Sequence, residues 1–263
     1  MYVTRRRMLG TALAAGAALT VARGMTGRAR QATPEPLVLG TPGLPGSKAP
    51  GYGIARVRTH QSAEMAQAVY ADVLTRFLPP TSALPGYYGY IFAFDDADPG
   101  TTLNVTLVDG APAADAANVV AQEYVQGMDA RLAPQTPIAV QGAVRIYQVT
   151  DRPASELPPL LHGCHITMRF RRNAADTDIE GVIQSASEGF GPIQAAMDGF
   201  VMYCWMHTED GRVSFNVWET AEQMQAGNEA VAAWGAANPV ITQEGPAEVH
   251  NGVIGYSDLF RAR

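Results

Sequence analysis

Short runs of alternating apolar and polar residues are interleaved with helical stretches along most of the chain. In the first part, a strand-like run at Ile54–His60 precedes a helical stretch at Ala63–Phe77 and an aromatic strand at Tyr87–Phe94. A turn at Asp98–Gly100 then leads to a third strand, a second helix and a last strand at Pro137–Val149. This pattern predicts the order β-α-β-β-α-β.

The same order returns after a proline-rich break at Asp151–Pro159. Strand-like runs at Cys164–Phe170 and Phe200–His207 flank a helical stretch at Asp178–Ala196, and a last strand follows at Pro246–Phe260. Three residue pairs occupy matching places in the two parts: Asn104 and Asn216, Asn118 and Asn228, Gly142 and Gly252. The order is that of the ferredoxin-like unit, whose antiparallel sheet carries helices on one face only.

A sheet with one bare face needs a cover, and a second copy of the unit supplies it. We therefore predict an α+β fold in which two ferredoxin-like βαββαβ repeats, residues 52–150 and 162–260, pack sheet to sheet as an α+β barrel. Residues 151–161 are predicted to link the repeats. Because one chain completes this barrel, a homo-oligomer is not required.

The two cysteines, Cys164 and Cys204, fall on the first and second strands of the second repeat. A ferredoxin-like sheet has the strand order 4-1-3-2, so the third strand separates them. Two strand spacings amount to about 9.6 Å, whereas a disulfide needs Cα atoms within roughly 7 Å. We predict that both cysteines are free thiols.

The beginning of the chain has the pattern of an export signal. The run Thr4–Leu9 (TRRRML) is similar to the twin-arginine translocation motif, and the uncharged stretch Met8–Ala22 follows it. This stretch is short for a membrane span, which needs about 20 residues. Residues 1–32 are therefore predicted to be a twin-arginine signal peptide, which implies a periplasmic, extracellular or cell-surface location. The alternative is an uncleaved membrane anchor.

Residues 33–51 contain five prolines and four glycines and are predicted to be a flexible tether. The charge of the chain differs between the segment before this stretch and the residues that follow. The net charge of the chain is −6, but residues 1–32 carry six arginines and no acid. The other residues have 25 acidic and 13 basic side chains, a net charge of −12. Nucleic acid and anionic lipid are thereby excluded as partners of the acidic part, and contact with a membrane is expected only through an uncleaved signal segment.

Alternation along the strands divides their side chains between the two faces of each sheet. In the second repeat one set is apolar, for example Cys164, Ile166 and Met168, and it is predicted to lie under the helices. The opposite set would then line the space between the two sheets. The candidate ligand-binding residues of this lining are Arg56, Tyr90, Phe92, Asn104, His165, Arg169, Tyr203, Trp205, His207, Asn216 and Trp218.

An aromatic space with a few polar groups predicts a pocket for a small apolar or aromatic molecule. The alternative is a filled sheet-to-sheet core whose polar groups bond to one another or to water. The five histidines form no dense metal motif, so we expect neither a metal site nor a cofactor.

Three segments carry a resemblance to a known family: Gly211–Thr220 (GRVSFNVWET), Ala226–Asn228 (AGN) and Ala232–Trp234 (AAW). They resemble the antibiotic-biosynthesis-monooxygenase-like family of dimeric α+β barrels, which includes exported members of unassigned function. The resemblance extends over both repeats and implies the barrel fold. Its motifs are structural ones, so no catalytic residue is assigned from it.

The resemblance leaves three functional hypotheses open. The first is an exported barrel that binds a small ligand and has no chemistry of its own. The second is a cofactor-independent monooxygenase on an aromatic or polycyclic substrate, for which Asn216, Trp205, Trp218 and His165 supply the residue types that such enzymes use. The third is a haem protein, because tandem barrels of this fold that bind haem use a histidine as axial ligand.

Overall fold

The computed structural model describes residues 37–39, 49–174, 176–238 and 247–260. The twin-arginine signal peptide predicted for residues 1–32 lies outside these ranges. Within them, no helix has both the length and the apolar character that crossing a membrane requires.

Residues 52–149 form four strands and a set of helices in the order β-α-β-β-α-β. The strands are β2 (Tyr52–Thr59), β3 (Tyr87–Asp95), β4 (Thr101–Val108) and β5 (Thr136–Val149). The helices are α1 (Ala63–Asp72), α2 (Leu78–Ser82) and α3 (Ala111–Gln126), with a π-helical turn at Val73–Phe77 between the first two.

Residues 165–257 repeat this order after two short 3₁₀ turns at Ala154–Glu156 and Pro159–Leu161. The strands are β6 (His165–Arg172), β7 (Phe200–Thr208), β8 (Gly211–Trp218) and β9 (Glu248–Ser257). The helices are α4 (Ile179–Ser185), α5 (Gly191–Ala195) and α6 (Ala221–Ala237), and a π-helical turn at Ala186–Phe190 again joins the first two.

The eight long strands close into one barrel. The order within the halves is β5-β2-β4-β3 and β9-β6-β8-β7, which is 4-1-3-2 in each. The halves join at two antiparallel seams, β3 with β9 and β5 with β7, so the last strand of each half pairs with the second strand of the other. The predicted fold class is confirmed, and the barrel is closed within a single chain.

A glycine stands at each seam where two backbones approach closely. A Cβ atom on Gly142 of β5 would lie 1.9 Å from the carbonyl oxygen of His207, and one on Gly252 of β9 would lie 2.3 Å from that of Phe94. Real Cβ atoms do not come so close to a carbonyl oxygen, so only glycine fits these two positions without moving the strands apart.

A short strand, β1 (Leu37–Leu39), lies within the stretch predicted to be a tether. It pairs in parallel with Ile146–Gln148 of β5. The backbone of the last half of β5 therefore has neighbours on both sides, β1 and β7. This part of the proline-rich stretch is an element of the sheet, contrary to the expectation that the stretch carries none.

The assignment of the two sheet faces was wrong. The apolar set represented by Cys164, Ile166 and Met168 lies inside the barrel, in one core cluster with apolar residues of the first half such as Leu103 and Val105. The aromatic set lies under the helices instead. The reason is that the interior of a small closed barrel is filled by side chains from every strand. The barrel interior contains no helix whose side chains could bond to polar groups of the strands, so the more apolar face of the sheet turns inward.

The π-helical turns have a common local cause. Each precedes a proline near the start of the next helix, Pro79 in the first half and Pro192 in the second. Proline has no N–H for the α-helical ladder. The N–H of the residue before each proline, Leu78 or Gly191, donates five residues back, which shifts the ladder by one residue. Such single π turns are frequent at functional sites.

Candidate functional site

A cavity of about 490 Å³ lies in the second half, between the outer face of the sheet and the helices that cover it. Its floor comes from β6, β7 and β8, its roof from α6 and the π turn, and one side from the start of β9. Its polar lining residues are Arg169, Arg171, Tyr203, Arg212, Ser214, Asn216 and Asn228. Its larger apolar lining residues are Val182, Phe190, Trp205, Val231, Trp234 and Val249.

The structure brings four of the predicted site residues together in this cavity: Arg169, Tyr203, Trp205 and Asn216. It does not place them between the two sheets, as the sequence predicted. Trp218 packs on the same helix-covered face but outside the cavity. His165 lies directly opposite Trp218 in the sheet and shares its face, and the His207 ring stacks on Trp205 at 6.5 Å. Neither histidine lines the cavity.

The remaining predicted residues occupy the corresponding face of the first half, which is filled. Tyr90 and Phe92 pack against α1 and α3 in one cluster with Phe77 and Tyr124. The Phe77 ring lies 5.6 Å from that of Tyr90 and 5.4 Å from that of Tyr124. The helix-covered face of this half is therefore a packed aromatic core.

Two polar side chains of that face bond within the first half. The Arg56 guanidinium donates to Asn118 Oδ1 of α3 at 2.8 Å and to Thr106 Oγ1 at 3.2 Å. The Tyr90 hydroxyl donates to Asn104 Oδ1. Burial lowers the pKa of Arg56 to about 9. None of these residues faces the cavity of the second half, so the sequence prediction of one shared pocket for both halves was wrong.

A hydrogen-bonded network fixes the polar part of the cavity floor. Arg169 of β6 donates from Nη1 to Asn216 Oδ1 at 2.8 Å and from Nη2 to Asn228 Oδ1 at 2.5 Å. Asn216 in turn donates from Nδ2 to Gln194 Oε1 of α5. The network joins two strands to two helices, so the guanidinium is held in one orientation.

Three arginines, Arg169, Arg171 and Arg212, line the cavity. Arg169 and Arg212 are 9% and 6% exposed, and burial lowers the pKa of each to about 10. The neighbouring charge of Arg171 lowers both pKa values further. All three guanidinium groups remain protonated at neutral pH. The described lining contains no aspartate or glutamate.

Aromatic side chains form the opposite wall. The Phe190 ring of the π turn lies 5.6 Å from that of Trp234 on α6, at an interplanar angle of 36°. It also meets the Tyr203 ring edge to face at 5.7 Å. The π turn contributes Phe190 and Ala186 to the lining, so aromatic and apolar side chains share the cavity with the guanidinium groups.

The sequence missed several lining residues. Arg171 follows Arg169 by two and lies on the same strand face, so the period of two could have identified it. Arg212 required the register of β6 with β8, where it stands directly opposite Arg171. Phe190 and Trp234 required the helix-covered face to be recognised as the site.

The described lining does not fit haem. It contains no histidine and no cysteine, so it offers haem iron neither of the two commonest strong axial ligands. In the described part of the chain, no group of three or more His, Cys, Asp or Glu side chains is arranged to hold a metal ion. Both cysteines are free, as the strand order predicted, but they are buried in the barrel interior and not under the helices, where alternation had placed them.

No family sequence model matches the chain, and no curated protein sequence matches it. Solved structures do match. A candidate monooxygenase from Fusobacterium nucleatum has a TM-score of 0.58 at 8% identity, over 80% of this chain and 95% of the other. An anthrone oxidase-like protein has a TM-score of 0.58 at 12% identity, over 82% and 95%.

A candidate chlorite dismutase has a TM-score of 0.50 at 10% identity, over 79% of this chain and 95% of the other. At these identities the likeness concerns the fold alone. The chain shares the α+β barrel of monooxygenase-like and chlorite dismutase-like proteins.

Proposed function

We propose that this protein binds a small aromatic molecule in the cavity of the second half. The observation that carries the proposal is the difference between the halves: aromatic side chains fill the helix-covered face of the first, whereas the second keeps about 490 Å³ open there. A ligand that fills this space gains packing contacts with the side chains that line it.

The chemistry of the walls selects the ligand. Phe190 and Trp234 present aromatic surface, against which a ring gains about 1 kcal/mol beyond the burial of its area. Asn216 and Ser214 on the floor are polar groups that fix its orientation. An apolar wall with a few convergent polar groups is typical of small-molecule sites.

Intrinsic fluorescence tests this proposal directly, because two of the three tryptophans, Trp205 and Trp234, line the cavity. Aromatic compounds should quench the fluorescence in a saturable way. Val231→Trp places an indole in the cavity and should abolish binding. Val119→Trp makes the same change at an exposed position on α3 and should bind normally. Binding to the two variants is compared by calorimetry. Equal affinity of both variants for the compound would show that the ligand binds elsewhere.

A second candidate function is a monooxygenase on an aromatic substrate without a cofactor. The observation in its favour is that Asn216 and Trp205, two residue types that such enzymes use, line the same cavity. Oxygen uptake by the metal-free protein in the presence of a bound compound is the measurement. Uptake that Val231→Trp abolishes supports an enzyme, and saturable binding without uptake supports a binding protein.

Export by the twin-arginine route is also proposed, on the basis of the motif at Thr4–Leu9. The receptor of this route reads the arginine pair, so replacing Arg5 and Arg6 with lysine should stop export and retain the protein inside the cell. Fractionation of cells that express the two forms is the measurement. Unchanged secretion would show that another signal directs the chain.

A further inference from the structure

We infer that Gly189 is a positioning residue of this cavity. It allows the indole of Trp234 to lie against the π turn Ala186–Phe190, and the room that this leaves beside the indole sets the size of the aromatic molecule that binds. This inference rests on the proposed function and names the residue that determines its selectivity for ligand size.

The aromatic wall of the cavity has a counterpart in the first half. Each π turn ends in a phenylalanine, Phe77 or Phe190. The Phe77 ring lies 5.4 Å from that of Tyr124 on α3, and the Phe190 ring lies 5.6 Å from that of Trp234 on α6. Each phenylalanine also packs on a tyrosine of the next strand, at 5.6 Å in the first half and 5.7 Å in the second. Trp234 therefore takes the place of Tyr124, although its ring system is larger.

The two π turns differ at the residue before this phenylalanine, which is Arg76 in the first half and Gly189 in the second. The Arg76 side chain covers Tyr124. Its guanidinium carbon lies 5.8 Å from the centroid of that ring, and Nη2 donates to the carbonyl oxygen of Gly127 at 2.8 Å. At Gly189 the Trp234 indole lies where a side chain would begin. A Cβ atom on Gly189 would stand 2.8 Å from Trp234 Nε1 and 3.4 Å from Cε2.

The backbone does not require a glycine at position 189. The φ angle of Gly189 lies outside the left-handed region, and the residue belongs to a helical turn. Inside a helix, glycine is less favourable than alanine because it loses more backbone freedom on folding. The glycine is therefore explained by the contact with the indole that its missing side chain permits.

Position 189 acts on the cavity through the indole. Trp234 lines the cavity, whereas Gly189 does not, so the ring stands between the glycine and the open space. A methyl group at position 189 would overlap the ring, because side chains in a folded protein are already closely packed. The indole would then have to turn toward the cavity and narrow it.

Two further positions beside the indole carry smaller residues than their counterparts in the first half. Ala186 begins the second π turn and Val73 begins the first. Gly235 follows the ring residue of α6, and Val125 follows that of α3. The two valines pack in the aromatic core of the first half, whereas Ala186 and Gly235 line the cavity. The surroundings of Trp234 thus leave room on more than one side of its ring.

The first test compares two probes of different size, phenol and 2-naphthol, by calorimetry on the full chain. Gly189→Ala adds only the methyl group that meets the indole, and alanine favours a helix more than glycine does, so the variant should fold. We expect it to weaken the binding of 2-naphthol about tenfold, as overpacking does, and that of phenol less than about twofold. Glu188→Ala, at the exposed neighbouring residue of the same turn, is the control and should bind both probes as the wild type does.

A second pair of variants tests whether the indole transmits the effect. In Trp234→Phe the ring is smaller and leaves room for a methyl group at position 189. Adding Gly189→Ala to Trp234→Phe should therefore change the affinity for 2-naphthol by less than about twofold. A general effect of alanine on the turn would persist in both backgrounds, so this comparison isolates the contact between residue 189 and the indole.

The outcomes are distinguishable. Wild-type affinity of Gly189→Ala for 2-naphthol, or an equal loss for both probes, would overturn the inference and leave the proposed function intact. A loss that persists in the Trp234→Phe background would show that the glycine acts independently of the indole, which also overturns the inference. Failure of the wild type to bind either probe would overturn the proposed function itself, and the inference with it.

Discussion

Asn216 is the residue on which the polar floor of the cavity depends. Its amide accepts from Arg169 and donates to Gln194, and both of these partners are buried. Asn216→Ala would leave a buried guanidinium donor and a buried amide oxygen without their partner. We expect the free energy of unfolding to fall by about 2 kcal/mol, because each lost partner exposes a desolvation cost.

Urea unfolding measures this change. Gln225→Ala is a suitable control, since Gln225 is exposed and its described side-chain bond is to Glu229 of the same helix. Its loss should change stability by less than about 0.5 kcal/mol. Equal stability of Asn216→Ala and the wild type would mean that water replaces the amide without cost.

The reactivity of the Cys164 and Cys204 thiols is also set by the side chains around them. Both are enclosed in the barrel interior, and burial raises the pKa of Cys164 to about 12. Because the thiolate is the reactive form, we expect no reaction with a thiol reagent in the native state and two reactive thiols after unfolding without reductant. A count of zero in the unfolded protein, with a bridge confirmed by mass, would contradict the strand order of the second half.

At the scale of elements, one histidine ties β9 to the hairpin between β3 and β4. His250 Nδ1 lies 2.9 Å from Asp95 Oδ2 and Nε2 lies 3.1 Å from Glu248 Oε1, and its ring meets the edge of Phe170. The hydrogen bond to Asp95 raises the pKa of His250 above its ordinary value; burial opposes this shift and Glu248 adds to it.

The protonated histidine is therefore favoured in the folded state. Its contribution to stability is complete below about pH 6.5, the value for an unfolded histidine, and is lost as the pH rises through the raised pKa. Between pH 6 and 8 this contact should make the free energy of unfolding of the wild type fall as the pH rises. We expect a smaller fall in His250→Gln. His162→Gln, at an exposed histidine, should keep the wild-type slope, and a wild-type slope in both variants would contradict the contact.

The sequence predicts the elements well and their orientation poorly. The order of strands and helices follows from hydrophobic periods and turn residues, which are local. The faces were reversed because two alternating sets of residues, one apolar and one aromatic, can both form a core. Which set turns inward depends on how the barrel closes, and that is a long-range property. The π turns and β1 carry no periodic signal.

The same distinction explains the outcome for the site. Arg169, Tyr203, Trp205 and Asn216 were identified because alternation places them on one face with polar and aromatic character. The sequence could not show that the helix-covered face is filled in the first half and keeps a cavity in the second. That difference depends on how closely Phe77 and Tyr124 pack over Tyr90. Packing of that kind has no signature in a single sequence.

At the scale of the whole molecule, stability depends on the two seams that close the barrel. Gly142 and Gly252 allow the strands to approach there, so Gly142→Val or Gly252→Val should force a seam apart and lower the free energy of unfolding by about 3 kcal/mol. Ala139→Val, at an exposed position of β5 outside the seam, is the control and should leave stability almost unchanged. Thermal unfolding of the three variants measures the change in stability. Wild-type stability of both seam variants would show that the seams tolerate a side chain.

The filled face of the first half has a consequence for how the protein responds to concentration. Two halves of the same fold would offer two equivalent sites, and two sites in one rigid barrel can influence each other. Here Phe77, Tyr90 and Tyr124 already occupy the first, so on the proposed function one chain holds one ligand molecule. Its saturation curve is then a simple hyperbola without cooperativity, and the protein responds to its ligand in graded fashion rather than as a switch.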